Sequence, residues 1–164
     1  MIKVSYEKLA EFRNAAQRYV NLKENQGKYS KFLYAVTKML KVTKPLSDEL
    51  DDKLVFLNLE YAEKEKGFAQ VEKFMKEDRA GNKSEDERYK YSAEKSKQLH
   101  KAKRELMQEE VEIEPYDIKG GDLLDFVPND MDFHKWQFFA PFLLPEEPPQ
   151  ELFDKLIERT SKIE

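Results

Sequence analysis

The chain contains no cysteine, which excludes disulfides, thiolate metal sites and a cysteine nucleophile. Only five Gly and seven Pro occur in 164 residues. That is too few for a loop-rich or disordered chain, and the periodic segments between them point to helices. No run approaches the roughly 20 apolar residues a membrane span requires, and the N-terminal MIKVSYEKLAEF has no apolar signal core. The expectation is a soluble protein, and the lack of thiols is compatible with a reducing cytoplasm. Two enzyme signatures are also missing from the sequence: a Gly-x-Ser-x-Gly nucleophile elbow and a glycine loop that cradles phosphate.

Charge is what the chain has in abundance. Charged residues make up 38% of it against 40% hydrophobic, so much of the chain must be solvated surface. The net charge of −4 hides a split. Residues 1–104 carry 24 Lys/Arg and 17 Asp/Glu, giving +7, whereas residues 105–164 carry 5 and 16, giving −11. Solvated helix faces of different sign account for such a split. So does an acidic end that meets the basic end of a second copy, or that steers a charged partner.

In chain order, Ser5 can cap a first helix with Glu7 in its first turn, and Leu9, Phe12, Ala16 and Tyr19 mark its buried face. Periodicity is lost over NLKENQGK, which contains Gly27. A second helix follows, with Tyr29, Phe32, Leu33, Val36 and Leu40 inside and Val42 off the register, at the fraying end. Pro45 is expected to stop it. Ser47-Asp48-Glu49 then reads as a new helix start, and Leu50, Leu54, Leu57, Tyr61, Phe68, Val71 and Met75 fall on one narrow stripe as far as about Arg79. Glu49→Lys53, Glu60→Lys64 and Glu72→Lys76 are i,i+4 pairs on that helix. Ala80-Gly81-Asn82-Lys83 supplies a turn, and Ser84 with Glu85 and Asp86 opens a return helix to about Val111.

Beyond Glu109 the pattern alternates, and Val111 with Ile113 suits a short strand before Pro115. Gly120-Gly121 reads as a turn. Leu123, Leu124, Phe126 and Val127 make an apolar patch, and a helix opening at Pro128-Asn129-Asp130 ends at Pro141. A final amphipathic helix runs from Gln150 to about Lys162. The fold class expected is mainly α: an antiparallel long-helix hairpin (47–110), an N-terminal helical pair (1–46) and a small irregular, short-β acidic C-terminal part (111–164), in one domain.

Chemistry has few places to sit. Asp130-x-Asp132-x-His134, with Asp122 and Asp125 nearby, is the best metal-like cluster, and a metal-dependent enzyme built on it is the remaining catalytic reading. Helix capping accounts for Asp130 and Asp132 without an ion, so no metal, cofactor or catalytic residue is assigned. His100, alone on a Lys-rich helix, reads as a solvated surface side chain. Asp117-Ile118-Lys119 resembles the acid-x-Lys ending of metal-dependent nuclease cores, but the helical framework before it does not match that fold.

Lys97, Lys101 and Arg104, with Lys95, Lys103, Tyr89 and Tyr91, form the one basic stretch suited to phosphates. Interleaved acids and the acidic whole argue against direct nucleic-acid binding. Glu110, Glu112 and Glu114 form an acidic strip expected to discourage strand pairing. Five of eleven Phe and the single Trp lie in 126–142. They read either as core or, through Trp136, Phe138, Phe139 and Phe142, as part of a partner-binding patch.

The run Glu105-Leu106-x-x-Glu109-Glu110-Val111-Glu112-Ile113-Glu114, after a helical pair from Leu9 to Leu40 and before Asp122-Leu123, resembles that of a family of small phage and prophage proteins of unknown function. The resemblance spans roughly residues 5–145; the Phe-rich stretch and the segment after Pro149 depart from it. It implies a phage or prophage origin, work inside an infected bacterium or in a virion, and no catalytic residues.

The function expected is that of a non-enzymatic accessory protein acting on a phage or host protein, in virion assembly or in altering a host process. Self-association is a further possibility. The alternative is an acidic inhibitor of a host nucleic-acid enzyme or defence complex, with residues 105–132, partner-binding Glu110, Glu112 and Glu114 among them, presenting carboxylates where phosphates would lie.

Overall fold

A computed structural model describes residues 1–25, 27, 31–118, 126–128, 131, 133–144, 154–155 and 157–158. The elements are β1 (Ile2–Ser5), α1 (Tyr6–Asn21), a 3₁₀ turn (Lys23–Asn25), α2 (Lys31–Tyr61), β2 (Lys64–Glu65), β3 (Phe68–Ala69), β4 (Val71–Glu77), β5 (Lys83–Tyr89), α3 (Ala93–Met107), β6 (Glu110–Ile113) and α4 (Phe133–Leu143). The protein is mainly α, as expected. The contacts divide it into two compact units, Met1–Ser47 with Glu109–Glu164, and Asp48–Gln108.

The first unit begins with β1, which pairs antiparallel with β6 in the register Ile2↔Ile113, Lys3↔Glu112, Val4↔Val111 and Ser5↔Glu110. Alternation puts Ile2, Val4, Val111 and Ile113 on the inner face and Lys3, Glu110 and Glu112 on the outer one. The acidic strip therefore does not prevent pairing. Its carboxylates sit on the solvent side, where they oppose no ladder hydrogen bond. Ser5 caps α1 by accepting from the Lys8 amide at 3.2 Å, and Leu9, Phe12 and Ala16 are buried as their spacing predicts.

Phe32 of α2 is the hub of the core. Its ring centroid lies 5.1 Å from that of Tyr19, 5.3 Å from Phe139, 5.8 Å from Phe126 and 6.4 Å from Trp136. Phe12 stacks on Phe142 at 4.2 Å. Each such buried ring adds on the order of 1.5–3 kcal/mol by area alone.

Pro45 does not stop α2; it lies inside a helix that continues to Tyr61. Proline removes the N–H that would reach the Lys41 carbonyl, a loss worth about 3 kcal/mol in a helix interior. The turn before it is held from outside. Arg13 of α1 donates from Nη1 to the Leu40 carbonyl and to Thr43 Oγ1, both at 2.7 Å, and Thr43 Oγ1 donates onward to the Met39 carbonyl at 2.7 Å. Thr43 is fully buried. Ser47 is thus mid-helix rather than a cap.

Pro141 likewise lies within α4, which runs on to Leu143. The Phe142 and Leu143 carbonyls at its end accept from the Tyr116 and Ile118 amides at 2.8 and 3.0 Å, satisfying groups that a helix end leaves open. The expected Gly120-Gly121 turn and most of the final helix lie outside the described residues; 154–155 and 157–158 are helical.

The second unit overturns the long-helix hairpin. Residues 64–89 form strands, not helix, and α3 starts at the Ser92 cap rather than at Ser84. The Glu49→Lys53 pair survives at 3.3 Å, while the Glu60→Lys64 and Glu72→Lys76 pairs lose the helix that would have aligned them. Two turns explain the change. Lys66 and Gly67, both at positive φ (54° and 83°), join β2 to β3 in the two-residue pattern that hairpins favour.

The second turn, at Gly81 (φ 84°), lies where the sequence places it, but it joins β4 to β5. Steps of three and four from Phe68 to Val71 to Met75 fit a helix on paper, but a helix would have to carry Gly67 through its interior at a penalty of about 1 kcal/mol. Leu50, Ala62, Leu99 and Leu106 are the buried apolar residues of this unit among those described. Tyr91, its phenol pKa pushed up by burial and by neighbouring Tyr89, donates to the Asn58 carbonyl at 3.2 Å.

Replacing Arg13 by Ala is expected to lower unfolding stability by about 2–3 kcal/mol, because two charge-assisted bonds go and a buried hydroxyl loses its donor. Urea titration followed by Trp136 emission checks this, and an unchanged midpoint would show that the turn before Pro45 needs no such support. The same tryptophan should resist acrylamide quenching in the native protein, as a core ring must; quenching as efficient as in the denatured chain would contradict its burial.

Candidate interaction surface

Three of the four aromatics weighed as a binding patch are not on a surface. Trp136, Phe139 and Phe142 are buried in the first unit. Their spacing of three and three places them on one face of α4, and that face meets Phe12 and Phe32. Phe138, on another face, is half-buried, with its ring 5.7 Å from that of exposed His134. Glu110, Glu112 and Glu114 are exposed, and Lys3 is the cross-strand neighbour of Glu112, so the strip is not uniformly acidic.

Lys97, Lys101 and Arg104 are all exposed. Steps of four and three align them along one stripe of α3, about 10 Å from end to end at 1.5 Å per residue. Asp122, Asp125, Asp130 and Asp132 lie outside the described residues. Among the described residues no three or more His, Asp or Glu gather as metal ligands, and no helix is long and apolar enough to cross a membrane.

The exposed apolar side chains that sequence reasoning missed are in the second unit. Below Ser47, α2 carries two apolar stripes. Leu50, Leu54, Leu57 and Tyr61 are buried or half-buried. Val55, Phe56 and Leu59 share the opposite side with Asp52 and are exposed, Phe56 by 68%. The signal was present in Val55-Phe56-Leu57-x-Leu59: a helix with one partner cannot hide four apolar residues in five positions. Phe68 (78% exposed), Val71 and Met75 (64%) are further exposed apolar side chains, on the strands of the same unit.

The β4–β5 ribbon is built from charge. Its register runs from Val71↔Tyr89 to Glu77↔Lys83. Arg88 Nε donates to Glu72 Oε1 at 2.9 Å while its guanidinium lies 4.8 Å from the Phe74 ring centre, and Lys73 pairs with Glu85 at 3.7 Å. Asp78 closes the turn. Its Oδ1 accepts from the Ala80 and Asn82 amides, both at 2.9 Å, and its backbone N–H donates to the Asn82 carbonyl.

Those bonds, the Asn82 amide foremost, hold the Asp78 carboxyl below its ordinary 3.8. A carboxylate with a lowered folded-state pKa stabilises above its unfolded value and loses that contribution as pH falls through the folded one. The turn should therefore hold above pH 3.8 and loosen below it. An NMR titration of the Asp78 carboxyl checks this: the midpoint should fall under 3.8, and a midpoint at or above that value contradicts the geometry.

Neither a family model nor a curated protein nor a solved structure matches this chain, so the functional reading rests on the geometry above.

Proposed function

We propose that the chain is a non-enzymatic phage or prophage accessory protein that acts by binding another protein through its second unit, in virion assembly or in altering a host process. The observation that carries the binding role is the exposed stripe Val55, Phe56 and Leu59 of α2. Single exposed apolar residues are ordinary, but three on adjoining positions of one helical face are a surface to be covered. Asp51, Asp52 and Glu60, all exposed, flank it. The complementary partner is a protein surface with an apolar socket and a basic rim. The phage setting rests on the resemblance of the 105–114 run and the helical pair before it.

The competing reading, an acidic inhibitor of a nucleic-acid enzyme, rests on exposed Glu110, Glu112 and Glu114, and Lys3 beside Glu112 weakens it. Direct nucleic-acid binding would have only the short Lys97, Lys101 and Arg104 stripe for phosphates.

Phe56→Glu tests the leading reading. With the protein as bait in a lysate of infected bacteria, wild type should retain a partner and the variant should retain it about tenfold less or worse, as loss of a central aromatic anchor does. Circular dichroism should not change, since the ring is already in solvent. Equal capture by both proteins places the contact elsewhere.

A further inference from the structure

The ribbon has two outer edges, and they are not alike. Among the described residues no third strand pairs with either β4 or β5. The Lys90 amide donates to the Gln70 carbonyl and the Asp78 amide to the Asn82 carbonyl. Antiparallel pairs alternate between bonded and non-bonded, so the even-numbered residues of both strands bond across the ribbon. The backbone N–H and C=O groups of Val71, Lys73, Met75 and Glu77 on β4, and of Lys83, Glu85, Glu87 and Tyr89 on β5, therefore point outward.

On β5 that edge is guarded. Glu85, Asp86 and Glu87 are consecutive acids, and the Glu87 amide is already taken by the Asp86 carboxylate at 2.8 Å. On β4 the charges are of mixed sign, Glu72 and Glu77 with Lys73 and Lys76, so no run of like charge stands in the way. The sequence Val71-Glu72-Lys73-Phe74-Met75-Lys76-Glu77 is also self-complementary about its centre. In an antiparallel pairing of β4 with itself, outward residues must meet outward residues. The two-fold register that uses all seven residues sets Val71 against Glu77, Lys73 against Met75, Glu72 against Lys76, and Phe74 against its own copy. Opposite charges and paired aromatics directly across a strand boundary both stabilise. The same operation on β5 sets Asp86 against Asp86 and Glu85 against Glu87, which repels.

We propose that the β4 edge pairs with the β4 edge of a second copy of this chain, joining two ribbons into one four-stranded sheet with the two-fold axis at Phe74. This rests on the reading of the second unit as a protein-binding element and names one partner for it. A two-fold contact of this kind closes on itself, so the product is a dimer rather than a filament.

Because the chain has no cysteine, Phe74→Cys introduces a single thiol at the axis. Mild oxidation of the full-length variant should yield a disulfide-linked dimer, whereas Glu87→Cys on the guarded edge should stay largely monomeric. Sedimentation of wild type should show concentration-dependent dimerisation. Lys76→Glu should weaken that dimerisation about tenfold, since each dimer gains two Glu–Glu oppositions. Lys76 faces Ser84 within its own ribbon, so this change leaves the intrachain ion pairs intact. Circular dichroism confirms that each variant keeps the fold of the wild type.

The proposal is overturned by a wild type that is monomeric at every concentration, by cross-linking no faster at position 74 than at 87, or by Lys76→Glu dimerising as wild type does. Phe56-dependent capture that persists in a monomeric chain would overturn this inference alone. Dimers with no Phe56-dependent capture would overturn the heterologous reading and leave this one standing.

Discussion

The continuity of α2 through Pro45 is the constraint on which the other elements depend. On one side of that proline the helix supplies Phe32, Ala35, Val36 and Met39 to the core of the first unit. On the other it supplies both the Leu50–Tyr61 inner stripe and the exposed Val55, Phe56 and Leu59. The missing hydrogen bond is one among many in a 31-residue helix. Arg13 adds a polar clamp where helix bonding is weakest. Its target, Thr43, is a fully buried polar residue that would destabilise the core if it lost its partners.

What the sequence made legible follows from how local the physics is. The Ser5 cap, the α1 face, Phe32 and Val36 and the strand at Val111–Ile113 all depend on spacing or on one short-range bond, and each stands in the structure; Val42 is off the register as expected but lies inside α2, not at a fraying end. The two prolines did not read correctly because propensity is local and their rescue is not: Arg13 lies some thirty residues from Thr43 along the chain, and Tyr116 closes α4 from a separate segment. The strand 64–89 region failed for another reason. Lys-rich and Glu-rich sequence leans toward helix by propensity, and apolar steps of three and four are not unique to helices when so few apolar residues are present. The turn at Gly81 was legible, yet a glycine turn does not say which elements it joins.

The candidate site was less legible than the fold, and the aromatic cluster shows why. A concentration of Phe and Trp says that much apolar area must be buried, not against what. Phe12, Tyr19 and Phe32 settle that, and they come from distant positions. Phe56 is hidden from a sequence reading because the Leu50–Tyr61 register already accounts for its helix. The residues left over by a good helical assignment were the informative ones.

The ribbon follows from the same economy. A two-stranded sheet solvated on both faces is marginal by itself, and this one is held by cross-strand charge pairs, one cation over one ring and an aspartate-closed turn. Every one of those devices acts between β4 and β5 or at their turn; none covers an outer edge except the acids of β5. Edge protection on one strand only is what a ribbon needs if its other edge is to be paired, because two guarded edges forbid association and two open ones permit unlimited sheet growth. The asymmetry between Glu85-Asp86-Glu87 and Val71–Glu77 therefore carries more information than the exposure of either strand. It turns a feature that would otherwise be an aggregation liability into a contact with a stop built into it.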